Sequence, residues 1–238
     1  MRVEIWTDIN CPFCYIGKAR FEQALDVFPH KDEVEVVHRS FELDPTVPKG
    51  DTGLVVPHIA QKYGISEEQA AANERGLGEQ AGDLGLPYLT AGRDYGNSFD
   101  LHRLLHLARA KGVQDAMIDA LYRGNFAERD SVFADEEHVV RLAVAAGLDE
   151  AEVRAVLADP AAYADEVRAD EREAAELGAT GVPFFVLDRR YGVSGAQPAE
   201  VFTQALTQAW ENRSPLTVLD GAAGGDACGP DGCAVPQS

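Results

Sequence analysis

Two closely spaced cysteines near the amino terminus constrain this chain more than any other feature. The motif Cys11-Pro12-Phe13-Cys14 lies between a short apolar strand pattern, residues 3–7, and a long helical pattern. Because a helix amino terminus has unpaired N–H groups and the positive end of the helix dipole, a thiolate is favoured there over a thiol. The spacing lets the two thiols close a small disulfide, and a proline in the first helical turn loses no needed N–H group. The same spacing also occurs in half of a zinc site, so redox chemistry and metal binding both stay open.

The length and charge of the chain narrow the classes of function. Its 238 residues are enough for one elaborated domain or two small ones. A formal charge of −19, from 21 Lys and Arg against 40 Asp and Glu, argues against binding to nucleic acids or anionic membranes. No run approaches the roughly 18 apolar residues of a transmembrane helix, and Glu4 interrupts the place where a signal peptide has its apolar region. We therefore expect a cytoplasmic protein with no nucleic-acid or membrane partner.

The four cysteines form two pairs at opposite ends of the chain, Cys11 with Cys14 and Cys228 with Cys233. They are too few for a disulfide scaffold. In a reducing compartment, such pairs are more often redox-active or metal-binding than structural. The segment that carries the second pair, residues 214–238, is rich in Gly, Asp, Pro and Ala, and we expect it to be a mobile tail.

The first part of the chain has the sequence pattern of an α/β protein, and a helical pattern follows it. Strands over residues 3–7 and 34–41 flank the first helix and predict a βαβ start, and residues 45–57 have the composition of a loop. Helical periodicity then dominates. The predicted helices of this block cover residues 58–63, 66–81, 99–111, 114–126, 136–146, 150–158 and 161–177.

The α/β pattern returns near the end of the chain. Strands over residues 180–187 and 191–194 predict a hairpin, and an amphipathic helix over residues 199–210 follows them. Within the helical block, several side chains have the character of amino-terminal caps. They are Asp135, Asp149 and Ser66, the last with Gln69 as the second member of a capping box.

This order of elements is that of an α/β thioredoxin-like fold with a large all-helical insertion. The chain resembles the DsbA-like thiol oxidoreductases and, within them, the FrnE-like branch, which is related to the 2-hydroxychromene-2-carboxylate isomerases and kappa-class glutathione transferases. The motifs that carry the resemblance are residues 8–17 (DINCPFCYIG), 97–104 (NSFDLHRL), 181–186 (GVPFFV) and 194–197 (SGAQ). The resemblance implies a thioredoxin-like domain over residues 1–56 and 179–213, a helical insertion over 57–178 and the tail over 214–238.

The resemblance also implies a role for each residue of the cysteine motif. Cys11 is the expected attacking thiolate, and Cys14 is the expected resolving thiol that closes the intramolecular disulfide. Pro12 and Phe13 tune the stability of the thiolate and are expected to contact the substrate. The implied activity is thiol–disulfide exchange, with isomerisation of protein disulfides as a further option. It needs no cofactor, and its partners are proteins or small molecules that carry thiols or disulfides.

Val182-Pro183 resembles the cis-proline of this family. In the family, the peptide before this proline lies beside the cysteine pair and offers backbone groups to an extended peptide or to glutathione, so Val182 is a further expected substrate contact. The alternative is a trans proline that merely begins an edge strand. Aromatic side chains near these motifs are predicted to be core or rim residues, and their use as a hydrophobic substrate groove is less favoured. They are Trp6, Phe13, Phe41, Phe184 and Phe185.

The tail pair has a spacing of four residues, two of them glycine, which permits a turn that brings Cys228 and Cys233 within the roughly 4.4–6.8 Å Cα separation of a disulfide. FrnE-like proteins can carry such a second pair, which implies that the tail thiols relay electrons to the Cys11–Cys14 disulfide. Two alternatives stay open. The tail thiols can be incidental, or all four thiolates can hold one tetrahedral zinc ion.

Departures from the related families favour dithiol chemistry. The isomerases and transferases use a serine at the first cysteine position, and they carry a Ser-Asp pair for glutathione where this chain has Ala196-Gln197. A glutathione-dependent isomerase or transferase acting on a small aromatic compound is therefore the second hypothesis. A non-catalytic protein that binds zinc or polypeptides is the third. His102 and His106 have the spacing of a metal pair, but no third ligand is placed in sequence, so we expect half-exposed packing residues and no metal site.

Overall fold

The structure is a computed structural model that describes residues 1–213, so Cys228 and Cys233 lie outside the described residues. Within that range, six strands and nine α-helices follow one another along the chain. The strands are β1 (Arg2–Thr7), β2 (Glu35–Ser40), β3 (Thr52–Leu54), β4 (Asp94–Gly96), β5 (Phe184–Leu187) and β6 (Tyr191–Ser194). The helices are α1 (Pro12–Asp26), α2 (Val55–Tyr63), α3 (Glu67–Asp83), α4 (Phe99–Ala110), α5 (Gln114–Ala127), α6 (Glu136–Ala145), α7 (Glu150–Ala158), α8 (Ala164–Glu176) and α9 (Ala199–Glu211).

Strand β1 lies inside a four-stranded mixed sheet of order β2-β1-β5-β6. It pairs in parallel with β2, where Val3 is opposite Val36, and antiparallel with β5, where Val3 is opposite Leu187. Strands β5 and β6 form an antiparallel hairpin. The parallel pair joined through α1, together with the hairpin and the helical block, confirms the predicted α/β thioredoxin-like fold.

The two faces of β1 bury different contacts, because side chains alternate along a strand. Val3 and Ile5 belong to an apolar core that contains Phe21 of α1 and Phe202 of α9. On the other face, Trp6 packs beside α8, and its indole N–H donates to the carbonyl oxygen of Asp170 at 2.8 Å. Strand β1 is therefore covered on both sides, which fixes the position of the turn that follows it.

A buried carboxylate on β1 links three parts of the sheet. Arg39 of β2 donates from Nε to Glu4 at 3.0 Å, and Arg189 of the β5–β6 turn pairs with the same carboxylate. Burial raises the pKa of Glu4, but the hydrogen bonds and charges of Arg189 and Arg39 outweigh it and leave the pKa below its ordinary value. A buried charge is tolerated only when it is paired, so these two arginines tie β2 and the hairpin to β1.

A second core lies between the amino-terminal half of α1 and the helical block. Cys11, Cys14 and Tyr15 belong to it, together with apolar residues of α4, α5, α6 and α7. Tyr15 stacks on Phe126 of α5, with 5.0 Å between the ring centroids. The cysteine motif is thus packed between the sheet and the helical block.

Side-chain caps confirm the predicted starts of α3, α6 and α7. Asp135 and Asp149 each accept a hydrogen bond from the N–H group three residues later. Ser66 accepts one from the N–H of Gln69 at 3.1 Å. The second half of the predicted capping box is wrong, because the side chain of Gln69 donates to Asn73 and does not return to the cap.

The predicted loop over residues 45–57 is wrong at its end. Helix α2 already begins at Val55, and β3 precedes it and pairs with β4, a strand that the sequence did not indicate. Strands of three residues are too short to show an alternation. Two smaller shifts occur later in the chain, where α8 begins at Ala164 and β5 at Phe184.

A glycine on α1 permits the close approach of the loop that contains Pro183. A Cβ atom on Gly17 would lie 2.9 Å from Cγ of Pro183 and 3.4 Å from Cα of Ala196. Carbon atoms in contact do not normally approach that closely. At this point the space between α1 and the loop therefore fits the hydrogen atom of a glycine but not a methyl group.

We expect Gly17→Ala to lower the free energy of unfolding by about 1–3 kcal/mol, because the added methyl group overpacks this contact. The matched control is Gly82→Ala on α3, where an added Cβ meets no atom within 4 Å. There we expect no loss and a gain of up to about 1 kcal/mol from helix propensity. Urea denaturation followed by fluorescence measures both values. Equal effects of the two substitutions would show that Gly17 is not needed for the close approach.

Candidate active site

Cys11 occupies the cap position before α1. Its carbonyl oxygen accepts hydrogen bonds from the N–H groups of Cys14 at 3.0 Å and Tyr15 at 3.3 Å, and its own N–H donates to the carbonyl of Asp8 at 3.2 Å. Pro12 stands in the first turn of the helix, as the sequence predicts. Strand β1, a tight turn and the start of α1 thus place the Cys11 side chain at the positive end of the helix dipole.

The Val182–Pro183 peptide bond is cis, which is the geometry that the family resemblance implies. The loop lies against the cysteine motif, since the thiol of Cys11 donates to the carbonyl oxygen of Val182 with 3.6 Å between sulfur and oxygen. The N–H of Gly195 donates to the carbonyl of Pro183 at 2.8 Å and holds the loop against the hairpin. Cys11, Val182 and Pro183 are therefore neighbours in space, although 171 residues separate the first two in sequence.

The thiol of the second cysteine, Cys14, lies in the protein interior. It is buried, and both Cys11 and Cys14 are free thiols in this structure. Burial raises the pKa of Cys14 well above its ordinary value, and the neighbouring Cys11 raises it further, whereas the Thr7 hydroxyl and the Asp8 backbone act in the opposite direction. The Cys14 thiol therefore holds its proton at neutral pH, and the Thr7 hydroxyl and the Asp8 backbone are the groups that favour the loss of this proton.

Two buried hydroxyl groups stand behind Cys14. The side-chain oxygens of Thr7 on β1 and Tyr122 on α5 are hydrogen-bonded to each other. Burial raises the pKa of Tyr122 well above its ordinary value, and the nearby charge of a Cys14 thiolate raises it further. Tyr122 therefore stays a neutral hydroxyl. Neither residue was predicted as a site residue, because 115 positions separate them and only the fold brings them together.

The carboxylate of Asp8 is buried directly before the cysteine turn. It accepts hydrogen bonds from the N–H groups of Leu43 at 2.7 Å and Asn10 at 3.2 Å, and Nε2 of His102 lies 3.5 Å away. Burial alone raises the pKa of Asp8. The neighbouring His102 and the Leu43 N–H outweigh burial and hold the pKa below its ordinary value of 3.8.

We expect Asp8→Asn to lower the free energy of unfolding by about 2 kcal/mol near neutral pH, since a buried charged acceptor is lost. A carboxyl group whose pKa is lowered by folding stabilises the protein fully above the pKa of the unfolded chain and progressively less below it. The difference between wild type and variant should therefore be constant near neutral pH and should shrink as the pH falls below 3.8.

Urea denaturation at a series of pH values checks this expectation. The matched control is Asp51→Asn, at an exposed aspartate, where we expect little effect at any pH. A difference for Asp8→Asn that stays constant or grows on acidification would contradict the assignment of a stabilising, ionised Asp8.

The two histidines of α4 do not share a ligand. Nε2 of His106 lies 3.2 Å from both the Asp170 carboxylate and the Ser40 hydroxyl, whereas His102 faces Asp8. Both pack inside the protein, but the expectation that they are half-exposed is wrong, because both are buried. Their neighbour Arg103 is also buried, and it donates to three backbone carbonyl groups around α7 and the segment after it.

One group of carboxylates within residues 1–213 is close enough to share a cation, namely Glu22, Asp115 and Asp119. The ammonium group of Lys18 already lies among them, at 3.2 Å from Asp115 and 2.7 Å from Asp119. Burial lowers the pKa of Lys18, but the three carboxylates outweigh it and raise the pKa above its ordinary value. Lys18 therefore neutralises this group as a permanent cation.

A cavity of about 720 Å³ opens beside the cysteine motif. Cys11, Pro12 and Phe13 form one side of it, and α2, α3 and the segment around Leu43 form the others. Pro12 and Phe13, the expected substrate contacts, thus line this cavity. Phe13 is 48% exposed. The residues on α2 and α3 were not predicted as site residues, because no motif marks them.

Comparisons with known proteins agree with this geometry. The chain matches the DsbA-like thioredoxin domain family over residues 2–207. A probable DsbA oxidoreductase from Streptomyces coelicolor is 69% identical in sequence, and its structure aligns over 100% of both chains with a TM-score of 0.93. A search of the curated proteins found no significant match. None of the helices within residues 1–213 is long and apolar enough to cross a membrane.

More distant structures share the fold. The cytosolic disulfide reductase DsbM from Pseudomonas aeruginosa is 17% identical, with a TM-score of 0.61 over 89% of this chain and 100% of that chain. A 2-hydroxychromene-2-carboxylate isomerase is 16% identical, with a TM-score of 0.63 over 89% of this chain and 97% of that chain. Family match, sequence identity and the placement of the cysteine motif lead to one conclusion: the chain belongs to the DsbA-like thioredoxin domain family.

Proposed function

We propose that this protein is a thiol–disulfide oxidoreductase in which Cys11 is the nucleophile and Cys14 resolves the mixed disulfide. The observation that carries the proposal is the position of Cys11, at the amino-terminal cap of α1 with its sulfur 3.6 Å from the carbonyl oxygen of Val182. A sulfur at that place lies at the positive end of the helix dipole, beside a backbone segment that can align an extended substrate. A cytoplasmic location, which the sequence predicts, is part of the same proposal.

The reaction uses two exchange steps. The Cys11 thiolate attacks one sulfur of a substrate disulfide, so a Cys11–substrate disulfide forms and the other substrate sulfur leaves as a thiolate. Cys14 then loses its proton and attacks the sulfur of Cys11, so the Cys11–Cys14 disulfide forms and the second substrate sulfur is released. Two electrons pass to the substrate. The reverse steps oxidise a substrate dithiol, and the reduction potential of the pair sets the direction.

Disulfide isomerisation needs only the first of these steps. The substrate thiolate that leaves in the first attack can itself attack another disulfide of the same substrate, and a later attack on the Cys11–substrate bond then frees Cys11. A buried, protonated Cys14 supports this option, because it delays resolution and leaves time for the rearrangement. We include isomerase activity in the proposal on this ground.

In the second step, the loss of the Cys14 proton is unfavourable because burial raises the pKa of this thiol. Cys14 is buried, and the groups that favour its thiolate are the Thr7 hydroxyl and the Asp8 backbone. The Tyr122 hydroxyl is hydrogen-bonded to the Thr7 hydroxyl. This pair of hydroxyl groups can orient toward the developing thiolate and stabilise it by hydrogen bonding.

The loop before α9 gives less support to a glutathione-dependent reaction. Gln197 stands where the related isomerases and transferases carry an acidic residue, and its amide donates to the carbonyl of Ser194 at 2.8 Å. The carbonyl of Ala196 accepts a hydrogen bond from Arg20 at 2.6 Å. The loop therefore offers no carboxylate to an ammonium group, so protein disulfides are the favoured substrates and glutathione-dependent chemistry is the second candidate.

We expect the wild-type protein to accelerate the reduction of insulin disulfides by dithiothreitol, and we expect Cys11→Ser to abolish the acceleration. Cys14→Ser should keep the first attack and accumulate a mixed disulfide, which mass spectrometry detects. The turbidity of precipitating insulin chains measures the rate. Equal rates for the wild type and Cys11→Ser would exclude the oxidoreductase proposal.

Two further measurements separate the other hypotheses. Sub-millimolar binding of glutathione, unaffected by Cys14→Ser, would favour the transferase class. Stoichiometric zinc in elemental analysis, released when the thiols are modified, would favour the metal-binding class.

The tail pair belongs to the proposal as an electron relay, and the length of the chain supports it. Trp210 near the end of α9 stacks on His30, with 4.0 Å between the ring centroids, and so lies beside the carboxyl end of α1. Helix α1 has 15 residues and spans about 22 Å. The 15 residues that follow Arg213, up to and including Cys228, can extend to about 50 Å. Cys228 can therefore reach Cys11 at the other end of the helix.

We expect a Cys14→Ser variant of the full chain to form a disulfide between Cys11 and Cys228 or Cys233 on mild oxidation at low protein concentration. Peptide mapping by mass spectrometry identifies it. The control carries Cys228→Ser and Cys233→Ser with Cys14 intact, and it should turn over insulin more slowly than the wild type. Absence of the internal disulfide, together with unchanged turnover in the control, would exclude the relay.

A further inference from the structure

The turn that joins strand β1 to helix α1 sets the place of the Cys11 sulfur. It closes through a backbone hydrogen bond from the N–H of Cys11 to the carbonyl oxygen of Asp8 at 3.2 Å, and Ile9 and Asn10 are its two central residues. If their backbone rotates, Cys11 leaves the position from which its sulfur lies 3.6 Å from the carbonyl oxygen of Val182. The thiol chemistry therefore depends on the groups that hold this turn.

A side chain of the helical block holds the backbone of Ile9. The amide nitrogen of Asn125, Nδ2, donates to the carbonyl oxygen of Ile9 at 2.7 Å, although 116 positions separate the two residues. Both residues are buried, and within residues 1–213 this carbonyl accepts from no other group. A buried carbonyl without a donor costs free energy. The conformation of the turn therefore depends on the Asn125 amide.

Asn125 belongs to a face of α5 that follows the chain from β1 into the turn. Residues three apart on a helix share a face, as Tyr122 and Asn125 do. The Tyr122 hydroxyl is hydrogen-bonded to Thr7, the last residue of β1. Asn125 binds the backbone of Ile9, two positions later in the chain. Helix α5 therefore fixes the chain on both sides of Asp8, immediately before the cysteine motif.

Packing alone does not favour an amide at Asn125. Its oxygen atom, Oδ1, is buried and has no hydrogen-bond partner among the groups of residues 1–213. An unpaired buried acceptor destabilises a protein, and an apolar side chain of similar shape, such as leucine, avoids that cost. The contact that an amide makes and leucine does not is the hydrogen bond to Ile9. Asn125 therefore serves the turn rather than the core.

We propose that Asn125 is a positioning residue for the thiol–disulfide exchange: its amide fixes the Ile9 backbone and thereby places the Cys11 sulfur beside Val182. The inference rests on the proposed function, in which Cys11 is the nucleophile. Asn125 is 3% exposed, so it acts through the turn and not by contact with a substrate. The attacking sulfur must meet the substrate disulfide in one orientation, and a displacement of about 1 Å at a reacting atom can lower a rate by up to about 100-fold.

Three substitutions separate the amide donor from the rest of the side chain. Asn125→Leu has a similar shape and no donor, and it also removes the unpaired oxygen, so its two effects on stability oppose each other. Asn125→Ser is smaller and leaves room for a water molecule that can donate to Ile9 in place of the amide. The matched control is Asn212→Leu. Asn212 is exposed, and its amide nitrogen donates to the carbonyl oxygen of Gln208 at 2.8 Å.

Stopped-flow mixing of the reduced protein with excess peptide measures the first attack. The single cysteine of the peptide is joined to a chromophoric thiol, whose release gives a limiting rate constant and a half-saturation concentration. We expect the limiting rate constant to fall about tenfold in Asn125→Leu and about threefold in Asn125→Ser, because the sulfur is displaced. Half-saturation concentrations should stay within about twofold of the wild-type value, since no substrate contact changes. Asn212→Leu should match the wild type in both quantities.

Two results of this measurement would overturn the proposal and leave the proposed function standing. One is a rate constant for Asn125→Leu equal to that of the wild type, and the other is an equal or larger loss in Asn125→Ser than in Asn125→Leu. If Asn125→Leu does not fold, the loss in Asn125→Ser decides, and an unchanged rate constant in that variant overturns the proposal.

Hydrogen exchange tests the contact without any thiol chemistry. The N–H of Cys11 is bonded to Asp8 across the turn, and NMR measures how fast its hydrogen exchanges with deuterated water. We expect about tenfold faster exchange in Asn125→Leu, and an unchanged rate in Asn212→Leu, because the turn opens more often when Ile9 has lost its donor. Faster exchange, together with a wild type that does not attack the peptide, would reject the proposed function alone. Exchange at the wild-type rate in Asn125→Leu would overturn the role of Asn125.

Discussion

The buried carboxylate of Asp8 is the contact on which the site depends. The carboxylate lies directly after β1, accepts hydrogen bonds from the N–H groups of Leu43 and Asn10, and faces His102 of α4. The backbone carbonyl oxygen of Asp8 accepts a hydrogen bond from the N–H of Cys11. A buried charge needs several partners, so Asp8 holds the cysteine turn, the loop after β2 and helix α4 together at one point. The position of Cys11 relative to Leu43 in the cavity lining follows from this constraint.

The same constraint gives the two cysteines different surroundings. Both cysteines are buried, but Cys11 stands at a helix cap beside the Val182 carbonyl and lines a cavity, whereas burial raises the pKa of Cys14 and only a few polar groups oppose that rise. In the proposed reaction, Cys11 therefore meets the substrate and Cys14 acts after Cys11 has reacted. Both also pack in the core formed with α4 to α7, so the helical block supports the redox motif directly. The division of the chain at residues 57–178 stays a prediction, and the shared core shows that these helices and the motif are packed as neighbours.

Much of the fold follows from local pattern, and much of the site does not. Helical periodicity and caps such as Asp149 indicate helix positions because they act within one turn, and the family resemblance located the cis bond before Pro183. The Thr7–Tyr122 contact and the pairing of β3 with β4 depend on residues far apart in sequence, and no local signal reports them. The exposed apolar side chains that line the cavity were missed for a related reason. An apolar residue in a helical pattern is normally a core residue, and only the packing of α2 and α3 shows that Tyr63 is exposed.

Most polar groups around the cysteine motif are already satisfied within the protein. The loop with Ala196 and Gln197 uses its polar groups internally, and the charged residues of the cavity wall pair with one another. Near Cys11, the Val182 carbonyl accepts the Cys11 thiol, and the exposed side chains of Phe13 and Tyr63 line the same cavity. Exposed apolar groups that cluster around a concave site mark a binding surface. In the proposed reaction, the substrate therefore meets apolar side chains next to the reacting thiol.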